Sequence, residues 1–151
     1  MNSSRYLEGL MGVTITANNS KYSFNMGYGG FFNLRTNLAK AYDEEFGELY
    51  SALRFCKRKA DYAFFDKVCN DMLSDERFKE EDNDIIDFLF MPDSDGKIRY
   101  RTCGKLYNLI KDIDFGDKRF QYCKYSNGND YEQFKVFLKE CYSHRRNLRW
   151  Y

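Results

Sequence analysis

A single histidine, His144, in 151 residues leaves imidazole-dependent catalysis with one candidate. It sits beside Arg145 and Arg146 at the expected end of a helix, which fits an exposed terminal residue better than a member of a Ser/His/Asp or Cys/His set. No catalytic residue is assigned. The five cysteines, Cys56, Cys69, Cys103, Cys123 and Cys141, are odd in number and none has CxxC spacing. With one histidine they form no zinc pattern, so neither a metal nor a cofactor is expected. Cys69, Cys103 and Cys141 fall on apolar helical positions and suit small buried hydrophobes in a reducing compartment. No segment approaches the ~20 apolar residues of a membrane span, and the N-terminus has no basic region followed by an apolar run. The expected setting is the cytoplasm, the host cytoplasm if the gene is viral, with no membrane partner. Charge of one sign is also missing. With 24 Lys and Arg against 23 Asp and Glu, the net charge of +1 disfavours both an acidic DNA mimic and a generic duplex-DNA binder.

Aromatic residues are abundant. Fourteen Phe and thirteen Tyr help bring the aromatic share to 19%, so rings must supply much of the core. A chain of this length suits one domain, spanning 1–151 with a loose end at 1–5, and buries roughly 70% of the surface it exposes when unfolded. Charge is uneven locally. Asp75 to Lys97 carries nine acids and three bases, while Arg54, Lys57, Arg58 and Lys59 cluster, as do Arg145, Arg146 and Arg149. Solvated faces are the simpler explanation of each.

The patterning predicts an α+β fold, predominantly helical, with a small antiparallel sheet formed by an N-terminal hairpin. Met11 to Thr16 and Tyr22 to Met26 alternate as strands, with Tyr22, Phe24 and Met26 inward. Phe31, Leu34, Leu38, Tyr42, Phe46, Leu49 and Leu53 form one helical stripe, which predicts a single helix from about Gly30 to Phe55, weakened at Gly47. A helix over about 60–73 points Tyr62, Phe65, Cys69 and Met72 inward. A short helix carries Ile85, Ile86 and Leu89 and closes at Pro92, the only proline. Further helices are expected over about 100–112 and from Asp130 to about Ser143. Phe120, Tyr122 and Tyr125 suit a short strand, and the tail from Leu148 to Tyr151 docks back or adds a third strand.

Two loops draw functional interest. Gly27-Tyr28-Gly29-Gly30 lies between a strand and a helix, the order that phosphate-binding turns use. The dinucleotide fingerprint is absent because residue 32 is Phe, and so is a P-loop ending, so a tight structural turn is favoured over a phosphate cradle. Arg35, one turn in, could pair with an anion or with Asp43 or Glu44. Asp93-Ser94-Asp95-Gly96-Lys97-Ile98 has the middle of a calcium loop, but Met91 and Thr102 stand where its first and last carboxylates belong, which excludes a functional EF-hand. Capping of the backbone by the Asp side chains is favoured, with ligand hydroxyl or amine groups as the functional alternative. Aromatics interleave with bases at Arg99-Tyr100-Arg101, Lys118-Arg119-Phe120 and 146–151. That is base-stacking chemistry, though frequent by chance in so aromatic a chain.

These blocks together resemble a loose group of small uncharacterised proteins of bacteria and their phages. In that group a Tyr/Gly turn precedes a Phe-x-x-Leu-Arg helix, here Tyr28 to Arg35 followed by Leu38-Ala39. A Ser-Asp-Cys-Asp-Gly-x-Ile block with a Cys shortly after appears here as Pro92 to Ile98 and Cys103, with Pro92 for the Ser and Ser94 for the Cys. Phe134 to Leu138 matches a final Phe-x-x-Phe-Leu helix. The resemblance implies that the two loops meet, with Tyr28 and Arg35 near Asp93 and Asp95; it brings no activity with it. The ligand-binding residues expected are Tyr28, Gly29, Gly30, Arg35, Asp93, Asp95 and Lys97. The expected function is a non-enzymatic binding protein, encoded by a phage or mobile element and acting against host antiviral defence. It would sequester a small nucleotide ligand or block a host defence protein. A host structural or regulatory interaction module and a nucleic-acid binder are the alternatives, and a homo-oligomer stays open.

Overall fold

The computed structural model describes residues 12–17, 23–55, 62–117, 120 and 128–151. The fold is α+β: six helices and one four-stranded antiparallel sheet among the described residues. In chain order these are β1 (Gly12–Ala17), β2 (Ser23–Gly27), α1 (Tyr28–Tyr42) and α2 (Glu44–Ser51), the last continued by a 3-10 turn at Ala52–Phe55. Then come α3 (Tyr62–Ser74), a 3-10 turn at Glu80–Asp82, α4 (Asn83–Phe90), β3 (Gly96–Ile98), α5 (Tyr100–Ile110), α6 (Gly128–His144) and β4 (Leu148–Trp150).

The sheet order is β2-β1-β4-β3. The expected hairpin forms, pairing Ile15 with Phe24 and Val13 with Met26. Phe24 and Met26 are buried; Tyr22 lies outside the described residues. The C-terminal tail does add a strand, and it takes an inner place between β1 and β3. Two further bonds continue its pairing with β1, Thr14 N–H to Tyr151 O at 2.8 Å and Tyr151 N–H to Thr14 O at 3.0 Å. Period-2 alternation turns one face inward: Val13, Ile15, Ala17, Phe24, Met26, Ile98, Leu148 and Trp150 are all buried. Helices α1 and α6 pack on the sheet, and Asn37 of α1 donates to the Tyr131 hydroxyl of α6 at 3.1 Å inside the core.

The single long helix is corrected to two. The chain leaves α1 at Asp43, whose φ of −161° and ψ of 135° are extended, and restarts as α2. Asp43 caps the new helix by accepting from Glu45 N–H at 2.9 Å. Arg77 braces the break, reaching Asp43 at 3.1 Å, Glu45 at 3.1 Å and Asp75 at 2.9 Å. Gly47, expected as the weak point, is instead the place where α2 folds back on α1: a Cβ there would stand 2.6 Å from Lys40 Cβ. The break also resets the helical phase. Leu49 is 38% exposed, and Tyr50 points inward in its place. On α3 the phase differs again: Tyr62 is 63% exposed, whereas Val68 joins Met72 in the core. Of the strand expected at 120–125, only Phe120 is described; it is buried edge-on against Phe115, outside any strand.

The turn from α6 into β4 runs through Arg145, the non-glycine residue with positive φ (53°) among those described. Arg146 N–H closes the helix on Cys141 O at 2.9 Å, the six-to-one bond of a Schellman cap. This reversal is what delivers Trp150 to the sheet. A side chain at this position costs about 1 kcal/mol relative to glycine. Arg145→Gly is therefore expected to raise stability by about 0.5–1 kcal/mol in urea unfolding.

Strand β3 leaves no mark in the residue pattern, because three residues show too little alternation to register. Its position is dictated by Trp150. Gly96 pairs with Trp150 across the ladder, and a Cβ on Gly96 would fall 2.0 Å from Trp150 Cζ2. Gly96→Ala is expected to cost about 1–3 kcal/mol through overpacking, read as a lower urea midpoint.

Candidate functional site

Arg35 is two turns into α1 and only 2% exposed, which places a guanidinium inside an aromatic core. Side chains on a helix lean toward its N-terminus, so Arg35 lies back over Phe31, four residues earlier, with Cζ 4.3 Å from the ring centroid. Phe88 of α4 stands 5.2 Å away and Trp150 of β4 5.4 Å away. The rings also touch one another: Phe88 stacks on Trp150 at 5.4 Å, and Phe31 meets Trp150 at 5.6 Å. Ring faces attract a cation by about 0.5–2 kcal/mol each when water is excluded, which offsets part of the cost of burying the charge.

The guanidinium holds the exit of α4. Pro92 disfavours helical geometry in the residue before it, and Met91 is extended, with ψ at 153°. Arg35 Nη1 donates to Met91 O at 2.7 Å and to Asp93 Oδ1 at 2.9 Å. Trp150 Nε1–H donates to Pro92 O at 2.9 Å. Two consecutive carbonyls are thus captured by two buried side chains. The chain between Pro92 and Gly96 arches outward, with Asp93, Ser94 and Asp95 exposed, and returns beneath the Trp150 ring.

One edge of Arg35 is left over. Nε and Nη2 are buried and have no hydrogen-bond partner in the protein. They form the side-on edge of the guanidinium, the pair of parallel N–H groups that meets two oxygens of one acceptor. The Tyr50 hydroxyl donates to Leu89 O at 2.6 Å and lies within weak hydrogen-bonding reach of the guanidinium, without the geometry to satisfy either nitrogen. Burial pulls the Arg35 pKa down, opposed by Tyr50 and Asp93. Burial pushes the Tyr50 phenol up, so it is neutral. Burial also raises the Asp93 carboxyl, with Arg35 opposing. Each buried donor without a partner costs about 1–3 kcal/mol, more when charged. A residue chosen for stability alone would not leave two such donors open, which marks Arg35 as a functional candidate.

Of the expected site residues, the structure brings Arg35 and Asp93 into direct contact. Arg35 pairs with neither Asp43 nor Glu44: Asp43 is held by Arg77, and Glu44 is bridged by Lys40 at 3.7 Å. Asp95 and Lys97 are exposed on the same loop and its strand, and Lys97 stands opposite Arg149 across the ladder. Tyr28 begins α1, and its side chain lies outside the described residues. The glycine turn is corrected: β2 ends at Gly27 and α1 begins at Tyr28, so strand passes into helix without a loop. The helix start has no side-chain cap and no acidic residue in its first turn. Gly29 is exposed there, and Gly30 half-buried.

Sequence reasoning missed Tyr50, Phe88 and Trp150. Tyr50 was hidden by the expected continuous stripe, which put Leu49 inward. Phe88 and Trp150 carry only the signal of large aromatics at element ends. His144 is exposed at the end of α6 and takes no part in this site. Among the described residues, no cluster of His, Cys, Asp or Glu is arranged to hold a metal ion. No helix among them is long and apolar enough to cross a membrane. Comparison with protein-family models, with curated proteins and with solved structures finds no match to this chain.

Neither Gly27 nor Gly29 is required by crowding, since a Cβ at either would meet nothing within 4 Å, and no described glycine has positive φ. Gly29→Ala should therefore stabilise the protein by about 0.5–1 kcal/mol through helix propensity, measured by urea unfolding.

Proposed function

We propose that this protein is a non-enzymatic binding protein that takes a small nucleotide-type ligand at the Arg35–Asp93 site. The observation that carries this reading is the unpartnered Nε and Nη2 edge of a buried arginine flanked by three rings. Such an edge asks for two acceptor oxygens on one compact group, which a nucleotide provides at its phosphate. A buried edge also favours capture of a small molecule over the blocking of a defence protein, because a flat protein surface cannot reach it. Asp93 and Asp95 on the exposed arch offer groups to the ligand's hydroxyls and amines, whereas Lys97 in β3 lies on the opposite face of the sheet from Ile98. Gly29, with open space above it, allows close approach at the start of α1.

The biological setting we propose is action against host antiviral defence by a phage or mobile element, in the host cytoplasm, through sequestration of a nucleotide signal. The resemblance to proteins of bacteria and their phages supports that setting. A second reading, an interaction module without a small ligand, is favoured by exposed apolar side chains on α3. Tyr62, Phe64 and Leu73 on α3 are exposed large apolar side chains.

Thermal-shift measurements with a panel of cyclic and linear nucleotides test the proposal. A rise in Tm with at least one nucleotide, lost in Arg35→Lys, is expected. Absence of any shift across the panel would remove it and leave the interaction module.

A further inference from the structure

We infer that Asp93 is a tethered stand-in for the ligand's own oxyanion, and that a singly charged group such as a phosphodiester or carboxylate enters the Arg35 site by exchanging with it. This rests on the binding reading above and adds to it the class of group recognised and the device that guards the site.

The guanidinium has two edges. Asp93 engages Nη1 through one oxygen only, at 2.9 Å, and shares that nitrogen with Met91 O. The better edge for an oxyanion, Nε with Nη2, makes no well-formed hydrogen bond in the protein, and the Tyr50 hydroxyl beside the guanidinium is only a weak competitor for it. A bidentate acceptor there would gain two charge-assisted bonds against the single one that Asp93 makes. Asp93 is thus the weaker of the two occupants that the same cation can have.

Charge decides how the second occupant arrives. Arg35 and Asp93 together are neutral. An incoming anion held beside them would leave one uncompensated negative charge in a site walled by Phe31, Phe88 and Trp150, which is costly in so apolar a place. Departure of Asp93 into water removes that cost. Its side chain is already 46% exposed, so release requires no opening of the core around it. The exchange is one charge for one charge, which favours a monoanion. Asp95 on the same arch opposes more highly charged groups.

The loop is built for a local movement. Upstream, Pro92 O is fixed by Trp150 Nε1–H; downstream, Gly96 lies in the ladder beneath the same ring. Only Asp93, Ser94 and Asp95 lie between these anchors, so Asp93 can swing out while the sheet and α4 keep their places. The ring of Trp150 serves both as wall of the site and as clamp on the loop that guards it.

The test compares full-length wild-type protein with Asp93→Asn and Arg35→Lys, using dimethyl phosphate, formate, inorganic phosphate, an uncharged nucleoside and the nucleotide panel. In Asp93→Asn the cation has lost its stand-in. The variant is expected to melt below wild type and to recover with dimethyl phosphate or formate. It should bind those anions at least tenfold more tightly than wild type does, with no response to the nucleoside. Arg35→Lys, which keeps a charge but has no side-on edge, should bind none of them. In wild type, the Arg35 Nε–H resonance, assigned by its loss in Arg35→Lys, should move on saturation with dimethyl phosphate. This readout stands if Asp93→Asn does not fold. Nucleotide binding to wild type with no gain in Asp93→Asn, or with an unmoved Nε–H resonance, overturns the exchange and leaves the binding reading intact. Failure of every ligand with every variant overturns both.

Discussion

Arg35 sets a guanidinium inside the aromatic core, and three elements of the fold meet on it. Its guanidinium touches side chains of α1, α4 and β4 and hydrogen-bonds the backbone that leads from α4 to β3. Remove it and the exit of α4 keeps the Trp150 bond to Pro92 O and the Tyr50 bond to Leu89 O. Trp150 in turn belongs to the strand that ties β3 to the N-terminal hairpin. A cation, three rings and two carbonyls therefore join the first long helix to the last strand across most of the chain.

A protein selected only for stability would place a hydrophobe there. Replacement of buried ionic groups by apolar side chains of similar volume is often neutral or favourable by about 1–4 kcal/mol. Ring contacts of about 0.5–2 kcal/mol each and the Asp93 pair reduce the burden of burying Arg35. They do not address Nε and Nη2. Elsewhere the same protein handles charge economically. Arg77 meets Asp43, Glu45 and Asp75 at a half-exposed helix break, with Asp75 brought down to about 2 by the hydrogen bonds from Arg77. The contrast between a well-partnered surface arginine and an under-partnered core arginine is the reason the second reads as a binding group.

Much of the architecture was legible in residue order. Alternation revealed the hairpin, and 3.6-residue spacing revealed helices around Ile85, Cys103 and Phe134. What failed did so for local physical reasons. One apolar stripe ran unbroken across Asp43, and nothing in its spacing shows that an Asp there caps a new helix rather than riding the old one. Gly47 looked like a weakness, whereas its missing side chain is what lets α2 approach Lys40. Strand β3 is too short to show a period, and its existence depends on Trp150, a partner 54 positions from Gly96 in the chain. The link between Arg35 and Asp93 was suggested by a resemblance between motifs. The walls of the site could not be, because Phe88 and Trp150 become neighbours only when the last strand slots between β1 and β3.

That placement bears on how binding would be felt by the rest of the molecule. The arch of Asp93 to Asp95 is anchored at both ends by Trp150, and Trp150 pairs with Ile15 on its other side. On the proposed exchange, movement of Asp93 alone would leave these anchors intact, and a ligand arriving at Arg35 would change the arch and little else. A rigid scaffold with one short movable segment suits capture of a small molecule, since little chain has to be ordered when the ligand binds. Signal transmission would need a second arrangement of the helices that the ligand favours. The geometry around Arg35 therefore fits the proposed capture of a ligand better than the reporting of one.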